Sequence, residues 1–153
     1  MKIDNIINVI DIRAQYDAKM IGCGELPFSD AELKAQLEVH LGTAVQDLVE
    51  LVKVPGAEFG AEIADANVNV TLSVGGNNMQ NVVGLETAVK EYLENEITYL
   101  WWQAYNEKYA DASARLLLVD KIRGIIKAQI PVVEQPKRVM KPVFVPEGRY
   151  IYE

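Results

Sequence analysis

Apolar residues recur along this chain first at the spacing of a helix, then at the alternate-residue spacing of a strand, and then at helical spacing again. Ile3, Ile6, Ile7, Ile10 and Ala14 share one helical face, which predicts a first helix over 3–21 with Asp4 as its cap. Gly22 and Gly24 end it, since glycine most readily takes the left-handed conformation that follows a helix. Ser29-Asp30-Ala31-Glu32 is a capping box, in which the serine oxygen and the glutamate each accept a backbone N–H left free at a helix start. Phe28 and Leu33 flank it at the spacing of a hydrophobic staple. Leu33, Leu37, Leu41, Ala44, Leu48 and Val52 continue one apolar stripe until Pro55-Gly56 breaks it.

The period then changes. From Asn67 to Val74 polar and apolar residues alternate strictly, the pattern of a strand with one wet face. Gly75-Gly76-Asn77-Asn78 supplies turn chemistry, and Met79–Val83 follows as a short return strand, giving a hairpin over about 66–83. A lone hairpin is barely stable in water, so this one must pack on helices or pair with another chain's edge. Helical spacing resumes with Leu85, Val89, Tyr92, Leu93, Ile97, Leu100, Ala104 and Tyr105. After a break near Asp111, a further helix turns Ala114, Leu117, Leu118, Ile122, Ile125 and Ile126 to the core and stops at Pro131.

The texture changes once more at Pro131. Pro131, Pro136, Pro142 and Pro146 punctuate short apolar pairs: Val132-Val133, Val139-Met140, Val143-Phe144 and Tyr150-Ile151. Proline blocks helix, and the residue before it is pushed to an extended conformation. The expectation is an extended arm with polyproline character, unable to bury its own anchors. The fold class is therefore mainly α: a helical body with one inserted hairpin over 1–130, and an extended proline-punctuated arm over 131–153.

With 153 residues, half of them hydrophobic, the chain has the length of one domain and the material for a core. The net charge is −7, which opposes general binding to phosphate backbones. It is unevenly spread: residues 127–153 carry a net +2 and the remainder −9. Such a tail either docks on an acidic neighbour or stays solvated, and charge alone does not choose. The single Cys23 excludes an internal disulfide, the N-terminal residues lack a signal-peptide pattern, and no stretch is long enough for a membrane span. A cytoplasmic setting, or a particle assembled there, is expected.

Candidate chemistry is sparse. His40 is the sole histidine and lies beside the apolar stripe of the second helix, where a half-buried structural role is expected. With one histidine and one thiol, a zinc site of ordinary composition cannot be assembled within the chain. Glu91, Glu94 and Glu96 lack the Glu-x-x-His partners of a di-metal bundle and read as a solvated helix face. Asp65, Asn67 and Asn69 lack the glycine and distal glutamate of a calcium loop. Gly22-Cys23-Gly24 has no adjacent cation to lower the thiol pKa, and Gly75-Gly76 matches no phosphate-binding spacing. No enzyme activity and no cofactor are expected.

Aromatics and the arm remain. Tyr99, Trp101, Trp102 and Tyr105 crowd one end of a helix, either as core or as interface. Neighbouring helical positions such as Trp101 and Trp102 differ by about 100°, so the four cannot all face one way and at least one is expected to leave the core. The expected protein-interface residues are Trp101, Trp102, Val139, Val143, Phe144, Tyr150, Ile151 and Tyr152.

The run Glu-Tyr-Leu-Glu-Asn-Glu-Ile-Thr-Tyr-Leu-Trp-Trp-Gln-Ala-Tyr at 91–105, followed by a short break and a leucine-rich helix, resembles the head-to-tail connector or neck proteins of tailed bacteriophages, including the portal adaptor rings. The resemblance covers the helical body and, more loosely, the arm; it rests on architecture and aromatic texture. It implies a virion structural protein, assembled in the host cytoplasm, that forms a ring of about a dozen copies held by arms and hairpins. Its partners would be itself, the portal and other neck or tail proteins. Membrane and specific nucleic-acid binding are not implied, DNA passing through an acidic ring. The alternative is a cellular helical adaptor or regulatory protein-binding module, monomeric or dimeric, with its arm folded back. A third class, an enzyme built from carboxylates and tyrosines, has no supporting motif.

Overall fold

The computed structural model describes residues 1–22, 30–131, 142–144 and 150–152, the last two segments by their backbone. Four helices dominate: α1 (Ile3–Met20), α2 (Asp30–Leu51), α3 (Leu85–Tyr105) and α4 (Arg115–Gln129). Between α2 and α3 lies an antiparallel sheet of β1 (Ala57–Ala64), β2 (Asn67–Val74) and β3 (Asn77–Met79), in that spatial order. The fold is mainly α, as the periodicity predicts.

The stripe predicted for α2 is buried throughout, from Leu33 to Val52. Ser29 and Phe28, and with them the capping box and staple, lie outside the described residues, as do Cys23 and Gly24. At α1 the expected cap is replaced. Asp4 sits in the first turn, where its charge complements the helix dipole, but the N-cap is Lys2 and makes no side-chain cap bond. The chain start is held by the sheet instead: Ile3 donates its N–H to the Ala66 carbonyl at 3.1 Å, and Met1 accepts from the Val68 N–H at 2.8 Å. Gly22 follows α1 with φ +78°, the left-handed geometry expected there.

The hairpin differs from its prediction. The principal partner of β2 is β1, in register from Ala57 opposite Val74 to Ala64 opposite Asn67. Asp65 and Ala66 join them with φ of 51° and 57°, the paired left-handed geometry of a tight hairpin. The expected return strand at 79–83 is earlier and shorter: β3 pairs only Asn77 to Met79, after a turn at Gly75-Gly76. Val68, Leu72 and Val74 are buried and Val70 is half-buried, so the inward set of β2 is as predicted.

Helix α3 is central, packing on α1, α2 and α4. Its buried face follows the predicted positions through Ile97, then shifts: Leu100 is half-buried and Ala104 exposed, while Trp101 and Trp102 are buried. On α4, Ile122 and Ile126 are buried as predicted, joined by Val119, but Leu117 faces solvent. In the arm, β4 (Pro142–Phe144) and β5 (Tyr150–Tyr152) pair antiparallel in a separate two-stranded sheet, with Val143 opposite Ile151. A hairpin thus interrupts the expected polyproline-like path. Pro142 is tolerated because it opens its strand.

Candidate assembly surfaces

Trp101 and Trp102, expected at an interface, are 1% and 4% exposed within the chain itself. Trp101 stacks on Tyr105 with centroids 5.1 Å apart and meets Trp102 edge-on at 4.7 Å. The second indole is covered because the chain turns back through a short 3-10 segment, Glu107–Tyr109, which sets Tyr109 edge-on against Trp102 at 5.6 Å. The two tryptophans are core, which corrects their expected place at an interface, while Tyr99 and Tyr105 are half-buried at its edge. Val139 lies outside the described residues. Val143, Phe144, Tyr150, Ile151 and Tyr152 fall on the paired strands of the arm, with Phe144 opposite Tyr150.

Glu91, Glu94 and Glu96 of α3 do not form a solvated face. Glu96 is buried, and Arg115 of α4 holds it in a fork: Nε donates to Oε2 at 2.9 Å and Nη2 donates to Oε1. The same guanidinium lies 5.0 Å from the Tyr99 ring centroid. Glu91 accepts from Lys121 of α4 at 2.9 Å, while Glu94 lies 4.0 Å from Arg13 of α1. The acidic row therefore ties the central helix to two neighbours. Both carboxylate oxygens of Glu96 are taken by one cation, which leaves little capacity for metal ligation or proton transfer.

Tyr92 is buried next to this pair, and its hydroxyl has no hydrogen-bond partner among the described residues. Burial first, and the Glu96 charge second, push its pKa well above the ordinary phenol range. It stays a neutral phenol. His40 is half-buried, and desolvation lowers its pKa from 6.5, so it is mostly neutral at pH 7. Among the described residues no group of three or more His, Cys, Asp or Glu side chains is placed to hold a metal.

What the chain does present is uncovered apolar surface. Val9, Ile12, Tyr16 and Met20 succeed one another at helical spacing on α1, away from its buried row of Ile6, Ile7, Ile10, Ala14 and Ala18. Ile12 and Met20 are each 70% exposed and Tyr16 61%. On α4 the adjacent Leu116 and Leu117 are 69% and 73% exposed. The two patches lie on different helices, α1 and α4, each of which packs on α3. Sequence spacing carried the signal for the α1 stripe, which is apolar on two sides of one helix, but a single core face absorbed the reading.

The sheet adds a third feature. Among the described residues strand β1 is an edge strand, with β2 on one side only. Beside its first half, at the end of α2, opens a cleft of about 470 Å³ lined by Val49, Val52, Val54, Pro55, Ala57 and Phe59 among others. Glu58 and Glu62 on β1 are exposed. No helix among the described residues is long and apolar enough to cross a membrane. Comparison with protein-family models, curated proteins and solved structures finds no match for the chain.

Proposed function

We propose that this chain is a structural assembly subunit without catalytic activity, forming a ring with copies of itself as the connector proteins between phage portal and tail do. The observation that carries this reading is the pair of separate apolar patches on α1 and α4. Contiguous exposed apolar surface marks a binding surface. Two unlike patches on different helices suit a head-to-tail contact, in which one patch of each copy meets the other patch of the next. Such contacts close into rings when the rotation per subunit divides a full turn. The acidic body, at −9 without residues 127–153, suits a channel that lets DNA slide without binding it. The portal and other neck or tail proteins are the expected further partners, and the virion is the expected location.

The test is to size the purified chain with and without residues 131–153. The full chain is expected to run as a multiple of its 17.1 kDa mass, and the truncated chain as a folded smaller species with its helical circular dichroism retained. A full chain that stays monomeric up to high concentration contradicts the reading.

A further inference from the structure

Helix α4 delivers the chain to the cleft at the end of α2. Ile130, one residue past the helix, packs on Gly56, where a Cβ would stand 3.7 Å from the Ile130 Cδ1. Earlier on the same helix, Nη2 of Arg123 donates to the Lys53 carbonyl at 3.4 Å. Gly56 sits between Pro55 and Ala57, which both line the cleft. Ile130 has left the helix for an extended conformation, φ −80° and ψ 125°. Pro131 after it is exposed and has no N–H to continue the helical bonding. We infer that Val132 and Val133, which follow Pro131 and lie outside the described residues, seat in this cleft of their own chain. Such a seat goes beyond the ring reading and does not depend on it.

Two observations select this occupant. The first is position. A chain spans at most about 3.5 Å per residue, so Val132 and Val133 are tethered within about 10 Å of Ile130, which already touches the rim of the cleft. A segment held that close competes at an effective concentration of the order of millimolar or more against the same segment of another copy. The second is chemistry. Among the described residues the cleft, about 470 Å³, is lined by Val49, Val52, Ala57 and Phe59 among others, with Lys53 and Glu58 its charged members. Val132-Val133 is an uncharged aliphatic pair, and it is the first apolar pair that the chain offers after Pro131. Burying it against that lining removes apolar surface from water on both sides. The arm is then rooted beside the start of β1, and the tether from Val133 to Pro142 limits the reach of the β4–β5 hairpin to about 30 Å.

The experiment uses the full chain in a Cys23→Ser background. Ala57→Cys and Val133→Cys are introduced together and the protein is oxidised. A disulfide within one chain is expected, running at the mass of a single copy on a denaturing, non-reducing gel, whether or not the native chain assembles. Val133→Cys by itself is expected to react with a soluble thiol reagent at least about tenfold more slowly than Pro131→Cys, whose position stands in solvent, since a seated side chain is shielded. Helical circular dichroism is expected to be retained in all three variants. A disulfide formed only between copies, or equal reaction rates at positions 131 and 133 in folded protein, would overturn the seat. Either result leaves the ring reading standing, because that reading is judged by the size of the unmodified chain.

Discussion

Glu96 and Tyr92 stand one turn apart on α3, both buried, and the chain treats their polar atoms differently. The Glu96 carboxylate is closed off by the Arg115 fork, whereas the Tyr92 hydroxyl has no partner among the described residues. Removing one member of a buried ion pair strands the other charge in a low-dielectric site. Arg115→Ala is therefore expected to destabilise the fold by about 3 kcal/mol, measured by urea unfolding. A loss under about 0.5 kcal/mol would mean that Glu96 reaches water on its own. Tyr92→Phe is expected to be neutral or stabilising by up to about 1 kcal/mol, because it deletes a group that is dehydrated without compensation. A loss above about 1 kcal/mol in the same assay would show that the hydroxyl is bonded in solution. Neither contact was visible along the chain. The partners are nineteen residues apart, and no local pattern distinguishes a clamped glutamate from a solvated one.

The elements that could be read were those whose period admits one interpretation. The α2 stripe runs through six positions without ambiguity, and all are buried. On α4, Leu116-Leu117-Leu118-Val119 covers a whole turn with apolar residues, so spacing alone cannot choose a face. Tertiary pairing chooses it: Arg115 to Glu96 and Lys121 to Glu91 turn Val119 inward and leave Leu117 outside. Strand β1 went unread because Ala57, Gly60, Ala61 and Ala64 are weak strand formers and its turn is Asp65-Ala66 rather than a glycine turn. Its alternation becomes informative only once β2 lies beside it. On α1 both apolar rows were legible as residues, yet only one can face the core. Ile12→Asp with Met20→Asp is expected to leave stability within about 0.5 kcal/mol, since both side chains are exposed in the single chain. The same variant is expected to lose self-association on a sizing column. Unchanged assembly would remove α1 from the interface.

At the scale of the whole molecule, the buried Glu96 is clamped by Arg115 of α4 and the partly buried Glu94 lies near Arg13 of α1, while large aliphatic and aromatic side chains stand in water on two helices. The body is acidic and residues 127–153 are basic, a polarity that one copy can satisfy against the next. The two tryptophans expected at an interface build the core, and most of the exposed apolar side chains are aliphatic. The central claim is that these surfaces close on copies of the same chain. Sedimentation equilibrium of the intact protein over a hundredfold range of dilution addresses it most directly. The account predicts one large species at an integer multiple of 17.1 kDa, dissociating only at the lowest concentrations; a single 17.1 kDa species across the whole range would contradict it.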